Sequence, residues 1–378
     1  MDLEATETRF CASLEQIPAT EWDSLAGPQP MLRHAYLHAL EASGCVSART
    51  GWQPRHLSLW RQNRLVGAMP LYLKSHSYGE YVFDWSWANA HEQLGLPYYP
   101  KLLCAIPFTP VPGPRLLAPA DADRKRLVRA ALSFAEEAGV SSFHCLFPDR
   151  DGDQALEQSG LLRRQGYQFH WLNPGYVSFE DFLTTLTRDK RKKIRQERRK
   201  VSEAGMSFEI RAGKEIRQED WDFFYRCYVH TYRAHHSTPY LNLDFFLRLG
   251  DGLSQHCVLV LGYQEGKPIA CALNLKDGER LYGRYWGSLK FVPGLHFETC
   301  YYQGMEYCIN HGLKVFEGGA QGEHKLARGF LPVITDSRHW LADQRIRSAV
   351  EAYLTREGQA VEDYVSELEG PYQQGSRT

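Results

Sequence analysis

Long apolar runs are missing from this chain of 378 residues. No stretch approaches the roughly 20 residues that cross a bilayer, so no membrane span is expected. Charge of one sign is missing too. The 44 Lys and Arg stand against 45 Asp and Glu, a formal net charge of −1. A nucleic-acid or membrane partner therefore needs a local patch. The nine cysteines (Cys11, Cys45, Cys104, Cys145, Cys227, Cys257, Cys271, Cys300 and Cys308) form no C-x-x-C pair, and most sit in apolar stretches such as 143–147. They read as reduced core residues, which excludes a disulfide scaffold and a zinc ribbon. No G-x-S-x-G elbow, H-E-x-x-H pair or Gly-Lys-Ser/Thr phosphate loop occurs, so serine-hydrolase, zincin and P-loop chemistry have no foothold. The acidic start, Met1-Asp2-Leu3-Glu4, resembles neither a secretory signal nor a transit peptide, and a cytoplasmic protein, at most peripheral at the inner membrane, is expected.

What is present suffices for two ordinary cores: 43% hydrophobic residues, 13% of the chain aromatic and 24% charged. Patterning predicts a helix over 31–43 stopped by Gly44, a hairpin over 57–74 and a strand over 81–87. An irregular stretch rich in Pro, Gly and aromatics follows at 87–119, then a helix over 122–138, Gly139 and a buried strand over 140–147. The second half repeats the scheme: a hairpin over 258–276, a strand over 281–286, a helix over 297–310, Gly312 and a strand over 313–316. The hairpins superpose at an offset of 203, placing Val66-Gly67-Ala68 on Ile269-Ala270-Cys271; the helix-Gly-strand units superpose at 173, placing Phe143 on Phe316. The expected fold is α/β, two tandem lobes at 1–178 and 205–378, the second with a helical tail, joined by a basic helix at 179–204.

That basic helix holds the densest cationic run in the chain, Arg188 to Lys200, after the apolar stripe of Phe179, Phe182, Leu183 and Leu186. Two readings stay open: a solvated helix, or a polyanion contact through Arg191, Lys192, Arg195 and Arg199 with RNA or anionic lipid. The segment from Val315 to Pro332 is the most unusual. A buried strand runs into Gly318-Gly319 and then into Gln321, Glu323, His324, Lys325 and Arg328, and strand ends opening into glycine turns are where α/β folds place ligands. Among the 15 histidines, His34 with His38 and His230 with His235 and His236 lack the further ligands of a zinc site, although His235 and His236 suit a cleft wall. No metal site is expected.

Several stretches resemble the FemAB-like family: 83–88, 98–102, 106–117, 296–303 and 317–332. The resemblance implies two GNAT-like acyltransferase lobes in tandem, as in the Fem aminoacyltransferases, which add amino acids from aminoacyl-tRNA to the peptide of a peptidoglycan precursor. It directs attention to Asp84, Trp87, Tyr99, Lys101 and Arg115 as substrate- or donor-binding residues. On residue chemistry, Glu298 or Glu323 is the expected base, with His324 next. Lys325, Arg328 and the backbone of Gly318 and Gly319 are expected to hold donor phosphates or an oxyanion, with Gln303 and Gln321 beside them. Tyr301 and Tyr302 are candidates for leaving-group protonation or stacking. The expected activity is acyl or aminoacyl transfer to an amine, with aminoacyl-tRNA or an acyl-CoA as donor. A non-catalytic cell-wall recognition protein, an acetyl-CoA-dependent N-acetyltransferase and an RNA-binding module are the alternatives. Against coenzyme A, 291–296 lacks the Gln/Arg-x-x-Gly-x-Gly/Ala turn, and Pro293 removes an N–H donor.

Overall fold

The computed structural model describes residues 6–319 and 322–375. The chain forms two compact units, a first of 1–167 with 334–378 and a second of 168–333. The boundaries drawn from sequence fall elsewhere. The basic helix belongs to the second unit and the C-terminal helix to the first. The reason is packing: Ile346, Val350 and Leu354, spaced four apart on the helix Gln344–Gly375, bury against Trp87, Tyr98 and Leu162.

In the first unit, strands Glu7–Cys11, His56–Arg61 and Arg64–Met69 make a small antiparallel sheet. Beside it, Leu71–Lys74 pairs antiparallel with Lys101–Cys104, which runs parallel to Ser142–Leu146. The helix Asp121–Glu137 lays Leu127, Val128, Ala131 and Ala135 onto a core with Leu57, Leu59, Leu102 and Phe143. The strand expected over 81–87 is not formed. Tyr81 is left-handed at φ 66°, the helix Trp85–Gln93 starts within the range, and Lys101 draws the Glu80 and Asp84 carboxylates inward.

In the second unit, Met206–Ala212, Cys257–Gln264, Lys267–Lys276 and Arg280–Ser288 form an antiparallel run, and Arg280–Ser288 then pairs in parallel with Val315–Glu317. Phe223, Phe224, Cys227 and Tyr228 form the buried face of the helix Gln218–Ala234. Gly287 permits its close approach, since a Cβ there would sit 2.0 Å from the Cys227 carbonyl oxygen.

The tandem reading holds down to single residues. Leu59 pairs with Gly67 and Gly262 with Ala270, and both hairpins shift register at the same place, Leu59/Trp60 and Gly262/Tyr263, as the offset of 203 requires. Gly139 and Gly312 end their helices left-handed, at φ 63° and 67°.

Candidate active site

The parallel pair in the second unit opens into a fork. Arg280, Leu281 and Tyr282 pair with Val315, Phe316 and Glu317. Beyond that last pair one strand runs on to Ser288, while the other turns away through Gly318 and Gly319, the latter at φ 85°. A register shift at Leu273/Asn274 bends the sheet beside the opening. The result is a cleft of about 100 Å³ whose walls include Asn274, Gly283, Trp286, Cys300, Tyr301 and Gly319. Its floor is a π-helical turn, Glu298–Tyr302, within the helical stretch 295–311. Widening the turn brings His296, Cys300 and Tyr301 to one face. A second, more apolar groove of about 430 Å³ adjoins it and shares Trp286 and His296, with His230 and His235 on its wall.

Lys325 is almost fully buried, and its Nζ donates to the Gly319 carbonyl at 2.6 Å. Burial pulls its ammonium down to about 8. Tyr301 is buried, and its hydroxyl lies 2.9 Å from His324 Nε2. Desolvation and the cations Arg328 and Lys325 lower the His324 pKa, so the ring is neutral at pH 7. These residues come together as the sequence expects. Glu323 is exposed on the same 3₁₀ turn, Glu323–Arg328, and Gln321 lies outside the described residues.

Other candidates are committed elsewhere. Glu298, expected as a base, is held by Arg198 Nη2 and Nε at 3.0 and 3.1 Å and by Gln303 Nε2 at 2.8 Å, which also occupies Gln303. Its oxygens are spent on an internal ion pair. Tyr302 turns from the cleft and donates to Glu197. Arg328, expected to hold donor phosphates, is buried, donates to Glu197 at 2.6 Å and lies 3.3 Å over the Phe297 ring, so its guanidinium is engaged within the protein. On the basic helix, Arg191 donates to the Leu186 carbonyl at 2.6 Å. Lys192, Arg195 and Arg199 are exposed, the latter two beside Glu180 and Glu203.

Asp84, Trp87, Tyr99, Lys101 and Arg115 lie in the first unit. Lys101 pairs with Asp84 and Glu80, Trp87 packs on His144 and His339, and Tyr99 meets Ser77 at 2.8 Å. Arg115 is fully buried and donates to the carbonyls of Leu146, Val111, Gly113 and Pro114 at 2.6–3.2 Å. Its guanidinium is a structural plug.

Two residues went unnoticed in the sequence. Glu317 ends the short strand of the fork, bound to Arg280 at 2.9 Å, with its other oxygen 3.9 Å from His170. Burial pushes its carboxyl up to about 7 and the His170 imidazole down to about 3. A signal was there: His-Trp-Leu occurs at 170–172 and again at 339–341.

Among the described residues no helix is long and apolar enough to cross a membrane. A family model described as FemAB-like, peptidoglycan biosynthesis/recognition, matches residues 13–374. No curated protein matches in sequence. The solved structures similar to the chain include FemX, at 14% identity and TM-score 0.53, covering 89% of this chain and 98% of that one. The C-terminal domain of a protein assigned as a lysylphosphatidylglycerol synthetase from Agrobacterium fabrum is 11% identical at TM-score 0.53, covering 90% and 96%. L-PGS from Bacillus licheniformis is 10% identical at TM-score 0.50, covering 84% and 94%. At these identities the likeness is one of fold.

Proposed function

The chain belongs to the FemAB-like family, and from that membership we propose that it is a transferase that moves an acyl or aminoacyl group onto an amine at the fork of the second unit. The observation that carries the reading is one cleft lined by Gly318, Gly319 and Tyr301, with the buried Lys325 amine bonded to the Gly319 carbonyl and His324 bonded to the Tyr301 hydroxyl. Each has a place in the chemistry. The neutral amine attacks the donor's carbonyl carbon, and the carbonyl oxygen becomes an oxyanion. Lys325 and the glycine backbone stabilise it. As the tetrahedral intermediate collapses, the carbon–oxygen bond to the leaving hydroxyl breaks. His324, neutral at pH 7, takes the proton released by the amine through the Tyr301 hydroxyl and returns it to Tyr301 as that hydroxyl protonates the departing oxygen.

We read the donor as an aminoacyl-tRNA, its phosphates on Lys192, Arg195 and Arg199, and the acceptor as a peptidoglycan-precursor peptide, as in the family's Fem relatives. The loop from Phe291 to Leu295 disfavours coenzyme A, since Pro293 lacks the N–H that a pyrophosphate needs. The test is transfer of radiolabel from mixed charged tRNAs to a UDP-linked precursor pentapeptide. Labelled product that Lys325→Ala abolishes supports the reading. Binding of the pentapeptide without transfer from any donor would leave a recognition protein instead.

A further inference from the structure

The most basic helix of the chain, Arg188–Glu203, carries an acidic residue at its centre that faces inward. Glu197 accepts from Arg328 twice, from Nη2 at 2.6 Å and Nε at 3.2 Å, and from the Tyr302 hydroxyl. Arg328 is only 2% exposed, so Glu197 is the counter-charge that makes its burial tolerable. With its remaining nitrogen, Nη1, Arg328 donates to the backbone carbonyl of His324 at 2.5 Å, while its plane lies on Phe297. His324 in turn meets Tyr301, a wall of the cleft. A chain of direct contacts therefore runs from Glu197 through Arg328 and His324 to Tyr301.

We propose that Glu197 is a positioning residue: by fixing Arg328 it sets where the His324 backbone lies and so holds the His324–Tyr301 couple against the cleft. This rests on the transferase reading for its purpose, though not for its geometry. Nothing in the cationic run announced it, because an acidic residue among Arg and Lys reads as an ordinary intrahelical pair. The contacts say otherwise. The neighbouring Arg198 also points inward, to Glu298 and Glu306, so the inner edge of the helix clamps both the π-helical turn and the 3₁₀ turn. The groups acting on the His324 ring are Arg328 and Lys325 on its own turn, Glu197 and Lys193 on the basic helix, and His296 and Tyr301 on the helical stretch below.

The experiment needs no substrate. In the full chain labelled with [¹³C]histidine, the His324 Cε1 resonance is identified by its loss in His324→Gln, and its titration is followed by NMR. In Glu197→Gln the His324 midpoint falls by about half a unit or more, since the Arg328 charge loses its partner. In Glu197→Asp, which restores the carboxylate, it returns toward the wild-type value. A Glu197→Gln titration that overlays the wild type, in a chain with native circular dichroism, overturns the proposal. If Glu197→Gln does not fold, Glu197→Gln with Arg328→Gln removes both charges. Its midpoint then rises above the wild type, because Arg328 lowers the ring's pKa more than Glu197 raises it. An unchanged midpoint in that double variant also overturns the proposal. Failure of the transfer assay would remove the catalytic purpose and leave this measurement untouched, so the two readings fail separately.

Discussion

In the first unit Phe143 pairs with Trp340 and His144 with His339; in the second, Phe316 pairs with Trp171 and Glu317 with His170. Each set flanks a parallel strand pair that begins with a cation, Lys101 in one case and Arg280 in the other. The surroundings then part. In the first unit Arg115 and the irregular segment 106–117 fill the space past Leu146, and the polar groups close on themselves: Lys101 with Asp84, Tyr98 with Asp84 and His144, His144 with His339 at 2.7 Å. In the second unit Gly318, Gly319 and Tyr301 line an open cleft, and Lys325 holds the Gly319 carbonyl. The lesson is that a duplicated framework keeps its register while one fork is filled and the other is left open, where the proposed chemistry is placed. Polar groups at both forks find internal partners, and what differs is that Tyr301 and the two glycines also border a cleft.

The sharpest way to break this contrast is to unplug the closed fork. Arg115→Met takes the donor from four carbonyls, those of the buried Leu146 and Val111 and the half-buried Gly113 and Pro114, and urea unfolding of the full chain should show a loss of about 3 kcal/mol or more. A variant as stable as the wild type would mean the fork is not held by its plug. At the open fork the same kind of change should spare stability and remove activity. Lys325→Ala is expected to lower aminoacyl transfer on the order of 10² or more while the melting temperature stays near the wild type. Unfolding of that variant would make the lysine a structural group and erase the difference between the units.

A smaller effect tests Glu317. Burial raises its pKa from 4.5 to about 7, so the folded state favours the protonated acid. Its contribution to stability is complete below about 4.5, falls as pH rises through 7, and stays low above. In Glu317→Gln that decline should vanish, so the melting temperature of the wild type relative to the variant should drop between pH 5 and 7.5. Parallel curves would show the carboxyl is not held in the acid form. The smallest effect on the fold is expected on the basic helix. Lys192→Gln with Arg195→Gln and Arg199→Gln should change stability by no more than about 0.5 kcal/mol. The same variant should flatten the salt dependence of tRNA affinity by about 2 in log–log slope. An unchanged slope would return the helix to a solvated surface.

The hairpins, the glycine-ended helices and the position of the open fork were legible, because period-two patterning and punctuating glycines are local signals. The roles of the charged residues were not. Glu298 and Glu323 looked equally able to act as bases, yet Glu298 is tied to Arg198, a hundred positions away. Arg328 looked like a phosphate ligand, and its partner Glu197 lies 131 positions distant. The repeated His-Trp-Leu was visible, but three residues carry no weight until the strand register shows both copies in the same place.

By itself, then, the sequence determined the repeated framework: the two hairpins, the helices that end in left-handed glycines, and the strand that opens into Gly318-Gly319. These follow from backbone freedom and side-chain alternation within a few residues of each position. Only the tertiary structure decided which ionisable groups were spent and which remained for chemistry. A buried charge needs a counter-charge or an array of dipoles, and the partner that meets this need is chosen by three-dimensional proximity, which spacing along the chain does not encode.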